Sequence, residues 1–256
     1  MHRSVWIIDR TEATGRLGMV VAQHELAAEV GVTVLADGGN AIDAAVATAF
    51  TIGVVEPFMS GIGGGGLMLV YLAETQETVA IDFGMCAPLA ARPDLYALLP
   101  GTSATRFGWR AVEGDANVHG PLAIAVPDAV AGLVTALERY GTRPLAELLQ
   151  PAIRLARDGF PVSWHTSLEM AQDAALLARY PSTRAIFTRD GLPLPVQTGL
   201  EPTILRQPDL ARSLEAIARD GADAFYRGEL GRQLVEGLRD LGALLTMEDL
   251  ERYTVR

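Results

Sequence analysis

Apolar spacing divides the chain into a front part that mixes strands with helices and a longer back part that reads as helical. GMVVAQ (18–23) reads as a short first strand. In HELAAEVGVTVLADGGN the apolar residues 26, 27, 30, 34 and 35 share one helical face. Gly38 and Gly39 stop that helix, because glycine adopts the left-handed C-terminal position at little cost. Asn40 then caps a second helix with Asp43 in its first turn. That helix, AIDAAVATAFTIGVV (41–55), is apolar nearly all round, which predicts burial between layers. Two apolar runs, 67–72 and 78–83, flank AETQE and predict a hairpin.

After Pro88 the pattern changes. Residues 89–120 read as irregular, and helical spacing dominates beyond them. Helices are expected at 128–140, ended by Gly141; at 144–157, with a break at Pro151; and at 164–179. The proline and glycine content of 187–207 predicts loop. Helices resume at 209–219, 222–240 and 247–252, the last capped by Thr246. The order predicts one α+β domain over 1–256, with helices packed on one side of a sheet and a largely helical second half.

The run SGIGGGGLMLVYL contains Gly61-x-Gly63-x-x-Gly66, the spacing of a dinucleotide-binding turn. Such a turn must follow a strand and open a helix, so that the pyrophosphate meets a helix N-terminus. Here a helix precedes and a strand follows. A phosphate-binding P-loop needs a lysine, and the chain has none. The remaining reading is a turn where two backbones pass closely.

Composition narrows the classes further. Of 256 residues, 49% are hydrophobic and 20% charged, as in a globular protein. A net charge of −10, with arginine as the sole basic residue type, argues against nucleic acid. The single cysteine, Cys86, excludes an internal disulfide framework. The start lacks the apolar core of a signal peptide. The most apolar segment, 41–55, is shorter than the roughly 20 residues of a membrane span and carries Asp43. The expectation is a cytoplasmic protein with no membrane partner, or a periplasmic or secreted one if a leader has been removed.

Candidate chemistry is sparse. His2, His24, His119 and His165 show no metal-ligand spacing, so no metal site is expected; His24 reads as a helix cap or surface residue. No G-x-S-x-G elbow occurs. Isolated Cys86 reads as a small buried hydrophobe. Asp82 either points at a site or bonds a nearby turn at the strand end. Arg106, Arg110, Glu113, Asp115, Asn117 and His119 form either a solvated excursion or one wall of a cleft.

The stretch from GMVVAQ through GGNAIDAA and VVEPFMSGIGGGG into LMLVYL resembles the start of the γ-glutamyltransferase family. The likeness continues in order through LAIAVPDAVAGL (122–133), YGTRPLAELLQPAIRLARDGFPV (140–162), DAFYRGELGRQLVE (223–236) and TMEDLERYTVR (246–256). It implies an N-terminal nucleophile hydrolase fold, an αββα sandwich of two sheets between helical layers, here incomplete. It also implies a precursor that cuts itself into a large and a small subunit before a threonine. That threonine's hydroxyl then attacks an acyl carbon while its own amine acts as base, and backbone N–H groups hold the oxyanion. The chemistry needs no cofactor.

The likeness covers only the front part of the large subunit. The family's threonine lies in a stretch this chain does not contain, so the chain carries no catalytic nucleophile and is expected to be inactive alone. It reads as a fragment or as one gene of a split pair, with the small subunit as its missing partner. The alternative is a non-catalytic truncated or partner subunit. The family's substrate-binding arginine, in a context like D-F-R-E-x-A-P, meets Asp82-Phe83-Gly84-Met85-Cys86-Ala87-Pro88 here. Gly84 stands at the arginine's position. A charge-assisted contact contributes roughly 1.5–3 kcal/mol, so its loss would weaken glutamyl binding about tenfold or more. Either Arg106 or Arg110 reaches in, or the substrate is a non-glutamyl amide that suits an apolar Phe83–Gly84–Met85 wall.

Overall fold

The computed structural model describes residues 12–103 and 108–256. Helix α1 (Glu25–Ala36) starts at His24, whose Nδ1 accepts the Leu26 N–H at 3.3 Å, so this histidine is a cap. The helix ends in a Schellman turn. Gly38, at φ 85°, donates to the Leu35 carbonyl, and Gly39 donates to that of Val34. Asn40 and Asp43 then form a capping box for α2 (Ala41–Val55), in which ten of the fifteen residues are buried.

Residues 18–23 form no strand, contrary to the sequence expectation. The segment lies over α1 and α2, and Val20 presses on Gly31. Among the described residues it has no second strand with which to share backbone bonds.

Strands β1 (Gly66–Leu72) and β2 (Glu77–Phe83) form the predicted hairpin, with Leu67 opposite Asp82 and Gly66 opposite Phe83. The described parts of 89–120 hold regular structure that the sequence did not predict. Strands β3 (Leu98–Thr102) and β4 (Arg110–Val112) pair with a shifted register, and Gly101 turns at φ 88°. Helix α3 (Ala129–Tyr140) follows. The expected helix 144–157 divides at Leu149 into α4 (Leu145–Leu148) and α5 (Gln150–Asp158). Pro151 sits in the first turn of α5, where its missing N–H is not needed.

Strand β5 (Phe160–Pro161) leads into α6 (Trp164–Gln172), α7 (Ala174–Arg179) and α8 (Pro181–Phe187). The expected loop 187–207 contains short ladders: β6 (Thr188–Arg189) with β7 (Leu192–Pro193), β8 (Gln197–Thr198) with β9 (Glu201–Pro202), and β10 (Ile204–Leu205) with β5. Then come α9 (Pro208–Asp220), α10 (Asp223–Tyr226), α11 (Glu229–Arg239) and α12 (Met247–Arg252), with Thr246 and Asp249 forming a second capping box. The expected helix 222–240 breaks at Gly228, where a Cβ would lie 2.7 Å from the Ala224 carbonyl oxygen.

The described strands form separate two-stranded sheets in a mixed helix-and-strand chain. One buried cluster runs from Ala27 through α2, β2, α3 and α5 to Leu250. The glycine turn is part of this packing. Gly53 of α2 passes Gly61 so closely that a Cβ would stand 3.1 Å from its Cα. The Phe83 ring nests between Gly66 and Gly132, where added Cβ atoms would come within 2.8 and 2.0 Å of it. The Gly64 carbonyl accepts the N–H groups of Asp128 and Ala129 at 2.9 and 2.8 Å. The turn therefore meets a helix N-terminus, that of α3, and its own carbonyl takes two N–H groups there that a phosphate would use.

Candidate functional site

The β1–β2 hairpin has two unlike faces. Val70, Ile81 and Phe83 are buried against the core. Leu67, Leu69 and Tyr71 point the other way and are 75%, 74% and 63% exposed. Asp82 faces Leu67 across the ladder, so it belongs to this open face. Phe83 is buried, which corrects the expected Phe83–Gly84–Met85 wall: only Gly84 and exposed Met85 can contribute to it.

Asp82 holds the end of the face together. Its Oδ1 accepts the Gly84 N–H at 2.9 Å, the strand-end turn that the sequence allowed. Its backbone N–H donates to the Arg256 carbonyl at 2.7 Å, and the Arg256 N–H donates to the Asp82 carbonyl at 2.9 Å. That mutual exchange is an antiparallel pair, which puts both side chains on one face. Arg256 Nη2 lies 3.6 Å from Asp82 Oδ2.

Asp128 caps the start of α3 and is fully buried, yet neither carboxylate oxygen has a hydrogen-bond partner among the described residues. One donor that a capping side chain ordinarily takes is already engaged: the Tyr226 hydroxyl accepts the Ala131 N–H at 3.1 Å while donating to the Pro127 carbonyl. The Gly64 carbonyl takes the N–H groups of Asp128 and Ala129 beside it. Burial pushes the Asp128 carboxyl up to about 7; Arg256 opposes the rise and Asp82 adds to it. Tyr253 stacks on Tyr226 and is pushed up to about 12, first by desolvation and then by Asp128.

Cys86 is exposed, contrary to the expectation of a buried hydrophobe, and its carbonyl accepts the Val126 N–H. Its thiol is pushed up, chiefly by desolvation and then by Asp128, which is the wrong direction for a nucleophile. Cys86, Val126, Asp249, Tyr253 and Arg256 line a cleft of ≈ 290 Å³. A larger cleft of ≈ 760 Å³ lies between α1, α4 and α5 and includes no residue of the hairpin.

Of the residues singled out from sequence, the structure unites Asp82 and Gly84. Arg110 is exposed on β4, and Arg106 lies outside the described residues. Asn117 Oδ1 is buried without a partner among the described residues, in the turn after β4. The sequence reading missed Asp128 and Arg256. The one signal for Asp128 was its place directly before a helix. Nothing local marks Arg256 as a neighbour of Asp82. Among the described residues, no group of three or more His, Cys, Asp or Glu could hold a metal ion. No helix there is long and apolar enough to cross a membrane.

Residues 27–256 match the family model described as gamma-glutamyltranspeptidase. The chain is 39% identical over 241 residues to a glutathione hydrolase proenzyme of Bacillus subtilis, covering 94% of this chain and 39% of that protein. It is 44% identical over 247 residues to an acylase ACY 1 proenzyme of Pseudomonas sp., covering 96% of this chain and 43% of that protein. It thus spans about two fifths of the length of these relatives. The Helicobacter pylori gamma-glutamyltranspeptidase structure superposes with a TM-score of 0.85 at 34% identity, over 96% of this chain and 66% of that one. On the strength of the family match and the superposed fold, this chain belongs to the gamma-glutamyltranspeptidase family.

Proposed function

We propose that this chain is the front part of an amide-cleaving acyl-transfer enzyme whose N-terminal threonine nucleophile lies in a stretch the chain does not contain. Relatives named glutathione hydrolase and acylase both imply cleavage of an amide, and both are named as proenzymes. Self-cleavage into a large and a small subunit follows from that reading. The observation that carries it is the open face of β1–β2. Leu67, Leu69 and Tyr71 form an uncovered apolar surface that ends in the polar group Asp82, Gly84 and Arg256. In this reading the remainder of the enzyme supplies the second sheet of a sandwich over that face and brings the nucleophile to its polar end.

Position 84 presents no guanidinium, so the acyl group is not fixed by the family's usual contact. The test expresses the complete coding region and asks for two polypeptides from one precursor, together with hydrolysis of amide substrates. Residues 1–256 alone should turn over no amide above a heat-killed control. An uncleaved, inactive full product, or turnover by residues 1–256 alone, would refute the proposal; the former would leave the non-catalytic partner reading.

A further inference from the structure

We infer that Asp190 is a site of spontaneous backbone modification, where the chain isomerises to isoaspartate through a cyclic imide formed with Gly191.

The chain contains four Asp-Gly steps, beginning at Asp37, Asp158, Asp190 and Asp220. Glycine favours the ring closure because no Cβ crowds the attacking nitrogen. The Gly191 backbone nitrogen bonds to the carboxyl carbon of Asp190, and its proton leaves with the carboxyl hydroxyl as water. Water then opens the ring. Addition at the side-chain carbonyl returns aspartate. Addition at the main-chain carbonyl leaves the chain running through the Asp190 side chain, with a new free α-carboxylate. One water leaves and one returns, so no oxidant or cofactor enters.

All four aspartates are exposed, so access to solvent does not separate them. Hydrogen bonding does. Asp37, Asp158 and Asp220 stand at helix C-termini, and the glycine after each closes the helix. Gly38 donates to the Leu35 carbonyl at 3.1 Å, Gly159 to that of Leu155 at 3.0 Å, and Gly221 to that of Ile217 at 2.8 Å. Such a nitrogen must give up its bond, and the helix end must unwind, before it can attack. Arg157 and Arg219 also engage the carboxylates of Asp158 and Asp220.

Asp190 and Gly191 are instead the two central residues of the β6–β7 turn, at φ 54° and 79°. In a turn of this kind the flanking residues exchange the backbone bonds. The Gly191 N–H has no acceptor, and the Asp190 carboxylate no donor, among the described residues. The ladder behind the turn pairs only Thr188 with Pro193 and Arg189 with Leu192, and Pro193 brings no N–H to it. So short a hairpin opens at little cost, which frees the Asp190 carboxyl to rotate toward the nitrogen. The product carries one more backbone atom, so it cannot return to the register of a two-residue turn.

The test ages the complete protein at neutral pH and maps isoaspartate at the four positions by digestion and fragmentation mass spectrometry. Asp190 should convert about fivefold or more faster than each of the other three, the size of the backbone hydrogen bond that they must first break. In denaturing urea the four rates should converge, because no hydrogen bond then protects any of them. Asp190→Glu should remove the signal at 190 and leave the other three unchanged, since the extra methylene makes the ring larger and slower to close. Equal rates at the four positions of the folded protein overturn the inference, as does faster conversion at Asp37, Asp158 or Asp220. A rate at Asp190 far below its own rate in urea also overturns it, for the turn would then protect the step as well as a helix end does.

Discussion

Asp43, in the first turn of α2, and Asp128, just before α3, are both fully buried near the start of a long helix, and their hydrogen bonding differs. Every oxygen of Asp43 is met. Its Oδ1 accepts the N–H groups of Thr142 and Arg143 at 2.8 and 3.1 Å, and its Oδ2 accepts the Asn40 N–H and the Thr142 hydroxyl at 2.8 and 2.6 Å. Burial alone would raise its pKa, but these bonds outweigh it and the carboxyl is lowered. Asp128 meets none among the described residues, and the Tyr226 hydroxyl holds the Ala131 N–H that it could have taken. A place near the start of a helix therefore does not by itself satisfy a buried aspartate. The donors left over by the rest of the fold decide it. Asp43 fastens α2 to the turn after α3, whereas Asp128 is a desolvated carboxylate held near Arg256 at the end of the open face.

Breaking the satisfied member should have the largest effect. Asp43→Ala removes the acceptor from three backbone N–H groups and a hydroxyl in a closed site. The expected loss is about 3–5 kcal/mol, as for other buried charged networks cut on one side. Urea unfolding of the complete protein measures it, and a loss below about 1 kcal/mol would mean that water or a neighbour replaces the carboxylate. Because the folded pKa is lowered from 3.8, the contribution is present above that value and disappears as pH falls through the folded pKa.

The same contrast explains how far the sequence could be read. The caps at His24, Asn40 and Thr246 were legible because each bonds a residue two or three positions away. The hairpin β1–β2 was legible from apolar runs around a polar turn. Asp190-Gly191 was a missed local signal: both residues have positive φ and make the tight turn between β6 and β7, while the surrounding prolines argue for loop. The lone strand at 18–23 failed because a strand needs a partner that a segment's own pattern cannot supply. The polar end of the site was hidden for the same reason. Asp82 meets Arg256, and α3 is capped by Tyr226, only after the whole chain has folded.

A smaller effect, of opposite sign in pH, belongs to Asp128. Its folded pKa is raised from 3.8 to about 7, so the folded state holds the proton more tightly than the unfolded state does. This group is therefore least costly below pH 3.8, and it lowers stability progressively as pH rises from there to about 7. Asp128→Asn should remove that decline and leave the protein about 1–3 kcal/mol more stable than the parent at pH 8, the range for an unmet buried polar group. Thermal midpoints across pH 4–8 test it. A parallel decline in parent and variant would place the titration elsewhere.

The smallest effect tests why the two aspartates differ at all. Tyr226→Phe deletes the hydroxyl that accepts from Ala131 and donates to Pro127. Two hydrogen bonds at about 0.5–1.5 kcal/mol each set the upper limit of the loss. Asp128 can reduce it, since the freed Ala131 N–H is the donor that a capping aspartate ordinarily takes. The net loss should then be about 1 kcal/mol, and the Asp128 carboxyl should fall toward its ordinary range once it gains a donor. Its pH signature should change accordingly, with the decline between pH 4 and 7 shrinking in Tyr226→Phe. The pair Tyr226→Phe and Asp128→Ala should also be non-additive, because alanine removes the acceptor that rescues the first change. If the pH decline persists in Tyr226→Phe and the effects of Tyr226→Phe and Asp128→Ala simply add, then tyrosine occupancy of the helix end is not what leaves Asp128 unpartnered.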